Sequence, residues 1–175
     1  MAKHEVQLVA NQGIFKGLAK QNMLFHQCLC ELIDNAIAAK DENRKFTIDV
    51  ILHKEDEQFV SVFVCDNGVG MSLETLQDAL QLGRPPSGTS RLNEHGFGLK
   101  NALATLTAAS DCWQIISRDR ANAKIVSVHG PFGPTMLVED EAAFPNRDFL
   151  PAEYATLVEA KLKLSFLQTV QGRGA

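Results

Sequence analysis

Three short segments stand in one order along the chain: Glu31-Leu32-Ile33-Asp34-Asn35-Ala36, then Asp66-Asn67-Gly68-Val69-Gly70-Met71, then His95-Gly96-Phe97-Gly98-Leu99-Lys100. The first lies in a run with helical apolar spacing. The second ends a strongly apolar strand. The third is a glycine turn at the start of a helix. A fold that brings all three to one place must set helix faces against the ends of strands.

Each segment has chemistry suited to one part of a nucleotide. Glu31 and Asn35 are four apart and share a helix face, with Asp34 beside them. A carboxylate can orient or deprotonate an attacking water, and an amide oxygen suits magnesium, which wants oxygen donors. Asp66, at a strand end, can accept a hydrogen bond from the exocyclic amine of adenine, where guanine offers a carbonyl instead. Gly68 and Gly70 let the base approach closely. The turn Gly96-Phe97-Gly98 offers backbone N–H groups and a positive helix end to phosphate. Lys100 either adds a fixed charge there or faces solvent. Taken singly, the first segment also reads as a polar stripe on an amphipathic helix, and the second as a plain turn. The three together supply what binding ATP with magnesium needs, and most of what hydrolysis needs. A P-loop is excluded, because the GxxxxGK[ST] pattern does not occur.

Patterning predicts a helix over about 23–40, strands over 46–53 and 59–65 joined as a hairpin, and a helix over about 72–82. Residues 83–90 carry glycine and proline and read as a mobile loop; the span 84–94, beside the expected phosphates, reads as a lid. A helix over about 99–109 follows, then strands over 113–118, 123–129 and 135–138. Residues 139–150 read as irregular, and 151–169 as a helix starting at Pro151. This order of elements fits an α+β fold: a two-layer α/β sandwich with a mixed, mostly antiparallel sheet and helices on one face. Its parts are an N-terminal arm at 1–20, a nucleotide-binding domain at 21–138, and an extension with one helix at 139–175.

With 175 residues, 45% of them hydrophobic, the chain can build a real core. The formal net charge of −4 gives no nucleic-acid footprint, and no apolar run is long enough to span a bilayer. The residues Cys28, Cys30, Cys65 and Cys112 have no metal-ligand spacing and read as buried reduced thiols. The expected location is cytoplasmic, or nuclear in a eukaryotic source.

The three segments resemble the N, G1 and G2 boxes of the GHKL ATPase superfamily, which takes in gyrase, the heat-shock ninety chaperone, MutL, histidine kinases and MORC proteins and shares the Bergerat fold. The resemblance covers roughly residues 20–138. It implies Glu31 as general base and Asn35 as magnesium ligand, with Asp34 and Ala38 also at the nucleotide. It implies Asp66 as the adenine contact, Gly68 and Gly70 as lining of the base pocket, and Met71 against its apolar side. Gly96, Phe97, Gly98, Leu99 and Lys100 would hold the phosphates. Gly133-Pro134-Thr135 resembles a fourth element, with a proline inserted, whose threonine helps the aspartate bind adenine.

With Glu31 present, the first segment resembles the gyrase, MutL and MORC side rather than histidine kinases, and the motif wording looks nearest to MORC-like or chaperone-like members. The activity so implied is slow magnesium-dependent ATP hydrolysis, with ATP and ADP as ligands and lid closure coupled to homodimerisation or a protein partner. A nucleotide-gated binding module without turnover, and a phosphotransfer module, are the alternatives. In the hydrolysing branches a second domain supplies a basic residue to the γ-phosphate, and 139–175 is too short for one. The expectation is therefore a fragment, a residue from a partner, or slow turnover.

Overall fold

A computed structural model describes residues 23–80, 98–133 and 135–168. The expected N-terminal arm, the 83–90 loop with its lid, Gly96 and Phe97 lie outside the described residues.

Six strands form one antiparallel sheet: β1 (Ile48–Lys54), β2 (Phe59–Asp66), β3 (Trp113–Arg118), β4 (Ile125–His129), β5 (Val138–Glu141) and β6 (Thr156–Lys163), in the order β1-β2-β6-β3-β4-β5. The helices are α1 (Phe25–Ala38), α2 (Leu73–Leu80), α3 (Gly98–Leu106) and a short α4 (Leu164–Gln168). This is the expected α+β fold. None of these helices is long and apolar enough to cross a membrane.

The main correction concerns 151–169, where a helix was expected and β6 stands instead. Leu, Ala, Lys and Glu favour a helix locally. However, β2 and β3 present facing edges whose N–H and C=O groups must find partners, and residues 156–163 satisfy both at once. The segment also alternates. Val158, Ala160 and Leu162 belong to one core, whereas Leu157 belongs to another. Part of the stretch read as irregular is likewise the edge strand β5, which sits later than the 135–138 expected for it.

The main core lies between the sheet and the helices. Cys28 and Leu32 of α1, Leu76 of α2, and Ala102, Leu103 and Leu106 of α3 pack on Val60, Val62, Val64, Ile115, Val126, Val128 and Leu162. Burying each such aliphatic side chain contributes about 1.5–3 kcal/mol. The opposite face is covered by the 142–155 connection. There Phe144, Phe149, Leu150 and Tyr154 close over Phe63, Cys65 and Leu157. β2 is therefore buried on both faces. β1 is an edge strand, and its apolar set Ile48, Val50 and Leu52 is only partly covered, with Val50 and Leu52 exposed. Burial of the cysteines divides evenly: Cys28 and Cys65 are buried, whereas Cys30 and Cys112 are exposed.

Candidate nucleotide site

No glycine or proline interrupts α1, and Cys28, Leu32 and Ala36 form its buried stripe at a spacing of four. Glu31 and Asn35 each precede a stripe residue by one position. They sit where the helix leaves the core, and both are half-buried. Asn35 Nδ2 donates to the Glu31 carbonyl at 2.5 Å, a bond that does not use its Oδ1. Asp34 is half-buried and Ala38 exposed.

The Glu31 carboxylate lies against the first residue of α3. A Cβ built on Gly98 would fall 2.0 Å from Glu31 Oε2, so only glycine lets α3 begin so close to this acid. The second segment is joined to α1 by its C-terminal end. Val69 N donates to the Ala39 carbonyl at 2.8 Å, and a Cβ on Gly68 would meet that carbonyl oxygen at 2.3 Å. Gly70 has φ +71°, and a Cβ there would strike the Arg118 carbonyl. Both glycines of this turn are therefore required by backbone contact.

Asp66 ends β2 with only 4% of its surface exposed. Burial pushes its carboxyl up to about 6, against the lowering effect of the Gly68 N–H, which donates to Oδ1 at 2.9 Å, and of the Thr156 side chain. Thr156 pairs with Asp66 in the β2–β6 ladder. Its hydroxyl lies 2.9 Å from Ser117 Oγ, which in turn accepts from Met71 N at 2.8 Å. Thr156, not Thr135, is thus the threonine beside the aspartate. Thr135 is exposed in the β4–β5 connection.

Arg120 holds the turn from behind, donating through Nη2 to the Asn67 carbonyl at 2.7 Å and through Nε to the Gly68 carbonyl. Asn67 fastens the same turn to the start of β1, with Oδ1 accepting from Thr47 N at 2.8 Å and Nδ2 donating to the Lys45 carbonyl at 3.1 Å.

Lys100, in the first turn of α3, is not on the open surface. It is 2% exposed, and Nζ donates to the Ala79 carbonyl at 2.7 Å, in the last turn of α2. Desolvation lowers its amine to about 8. Leu99 is half-buried against the main core, as is Met71.

The structure therefore brings Glu31 to Gly98, and ties Gly68 and Val69 of the second segment to the end of the same helix. Separately, a model of the family described as histidine kinase-, DNA gyrase B-, and HSP90-like ATPase matches residues 23–132. The chain belongs to this family. A comparison with curated proteins returned no match. As a GHKL-type ATPase domain it carries an ATP-binding fold, and the matched span holds the first two segments and the described part of the third.

Three contributors had no sequence signal of their own. Thr156 lies in a segment that resembled a helix, Ser117 is one serine in an apolar strand, and Arg120 stands in an ordinary polar turn. Each acts through a partner that only the sheet supplies.

Proposed function

We propose that this domain binds ATP with magnesium and hydrolyses it slowly. The observation that carries the reading is the Glu31 carboxylate seated against Gly98, with Asn35 one turn further along α1. A carboxylate held at the N-terminal end of α3 supports a general-base role, since it would meet a water attacking a γ-phosphate resting on that end.

The donors fit a hard cation. Asn35 already uses its amide N–H on its own helix, which leaves its oxygen for a ligand. Asn35 Oδ1 together with the substrate phosphates would hold magnesium, which when bound offsets the charge of the phosphate oxygens. Asp66, reinforced by Thr156, accepts from the adenine amine, and Gly68 and Gly70 line the base. Glu31 orients the water and takes its proton as the water oxygen bonds to the γ-phosphorus. The bond from that phosphorus to the bridging oxygen breaks, giving ADP and inorganic phosphate. Positioning and charge stabilisation carry most of such a reaction.

Closure of the 84–94 segment over the nucleotide, coupled to pairing with a second copy or a protein partner, completes the proposed cycle. It is supported by family membership and by the composition of that segment. A reducing, cytoplasmic setting agrees with Cys28 and Cys65, whose thiols burial pushes up to about 11 and about 12.

The test is Glu31→Ala. The variant is expected to keep ATP affinity and lose phosphate release. Equal release by wild type and variant would remove the hydrolase reading and leave a nucleotide-gated binding module.

A further inference from the structure

A second cavity, of about 670 Å³, opens behind the adenine-side turn. Its walls come from the 144–155 connection, from Asn67, and from Arg44, Arg118, Arg120 and Arg147. These are all the arginines among the described residues, and none of the described lysines lines the cavity. Arginine and lysine carry the same charge. Only arginine offers a planar fork of donors matched to phosphate oxygens. In a chain with net charge −4, the segregation of this one cation into one concavity is not explained by solubility.

Arg118, Arg120 and Arg147 are held in ways that leave donors over, and Arg44 is exposed. The Arg118 guanidinium lies 4.9 Å from the centroid of the Phe144 ring, an attraction that uses none of its N–H groups. No ion pair to Arg44, Arg118 or Arg120 is found among the described residues. Arg120 uses Nε and Nη2 on the Gly68 and Asn67 carbonyls, which leaves Nη1 for a ligand. Arg147 is paired with Glu159 at 3.0 and 3.1 Å and sits over Phe63. The acids on the wall are Asp148 and Glu153, both exposed. With Glu159 included, the four cations still outnumber the acids. Phe144, Tyr154 and Leu150 add apolar wall, and Pro145 and Pro151 stiffen the connection that carries them. A cavity of this volume suits a small organic molecule rather than a polymer backbone.

We propose that this cavity binds a phosphate-bearing small molecule at a site separate from the nucleotide site, with Arg118 and Arg44 as its principal phosphate contacts. The proposal does not depend on the nucleotide reading, and the test keeps the two apart. Inorganic pyrophosphate is titrated calorimetrically into the full chain, with saturating Mg–ADP and without it. Binding of one pyrophosphate is expected in both conditions, weakening as salt is raised. The double variant Arg44→Gln/Arg118→Gln should bind pyrophosphate at least tenfold more weakly while ADP affinity stays unchanged. Asp66→Asn should retain pyrophosphate binding, whatever becomes of its ADP affinity. Undetectable binding, binding abolished by ADP, or binding untouched by the arginine variant would each overturn the site. Displacement of pyrophosphate by a short single-stranded DNA of far higher affinity would overturn the small-molecule assignment.

Discussion

Thr156 stands directly opposite Asp66 in the ladder between β2 and β6, and its side chain lowers the pKa that burial of the aspartate has raised. The carboxylate is thereby kept as an acceptor near neutral pH. Two consequences can be measured.

The first concerns pH. With Asp66 titrating at about 6, adenine nucleotide affinity should fall as pH drops through that value, because the protonated carboxyl loses its charge as an acceptor. Thr156→Val removes one stabilising hydrogen bond, so the midpoint should move up by roughly 0.5–1 unit. ADP affinity measured from pH 5 to 8 gives both midpoints. Coincident curves would show that Thr156 has no part in setting Asp66.

A second consequence is a trade between binding and stability. The native Asp66 carboxyl holds its proton to higher pH than the unfolded one, whose ordinary value is 3.8. The native state therefore binds more protons between those values, and stability falls as pH rises through the window. Asp66→Asn should stabilise the unliganded protein above pH 6 by about 1–3 kcal/mol while weakening ADP binding. Denaturant melts at pH 5 and pH 7.5 test the sign. Equal stability of the two proteins at pH 7.5 would count against a strained carboxylate.

Gly98→Ala should imitate loss of Glu31. The added methyl meets the end of a flexible carboxylate rather than backbone, so the acid moves and the fold survives. Phosphate release should fall at least tenfold with a thermal midpoint close to wild type. Full activity in this variant would mean that Glu31 works from another position.

Arg120→Ala leaves the Asn67 and Gly68 carbonyls without their side-chain donor. The expected cost is about 1–3 kcal/mol of stability, together with weaker ADP binding, because the loosened turn carries Gly68. An unaltered ADP affinity would show that the turn holds without its clamp.

Lys100 offers an independent check on the core. Burial lowers its amine to about 8 in the folded chain, below the ordinary lysine value of 10.5. Between these values the unfolded state binds more protons, so stability contributed at this site rises with pH. Buried Cys28 and Cys65, with thiols pushed up to about 11 and 12, act in the opposite direction. The comparison must therefore be made against Lys100→Met. Wild type should gain stability relative to this variant from pH 8 to 10, and a constant difference would contradict the buried amine.

Much of the architecture could be read from local pattern. α1 and α3, the β1–β2 hairpin and the β3–β4 pair follow from apolar periodicity and turn residues, and they lie close to their expected bounds. The helix expected at 151–169 failed because local preference and sheet demand pointed different ways, and the unpaired edges of β2 and β3 decided the matter.

Sequence alone determined the chemical types: an acid and an amide on one helix face, an aspartate at a strand end, glycines where backbone or carboxylate presses close. These depend on spacing and residue identity, which the chain carries in itself. Tertiary structure alone decided that Thr156 rather than Thr135 stands beside Asp66, that Lys100 turns inward to Ala79, and that four scattered arginines share one cavity. The physical reason is pairing at a distance: strand neighbours and buried charges are chosen by which polar groups would otherwise lack partners, and no local window of sequence contains both members of such a pair.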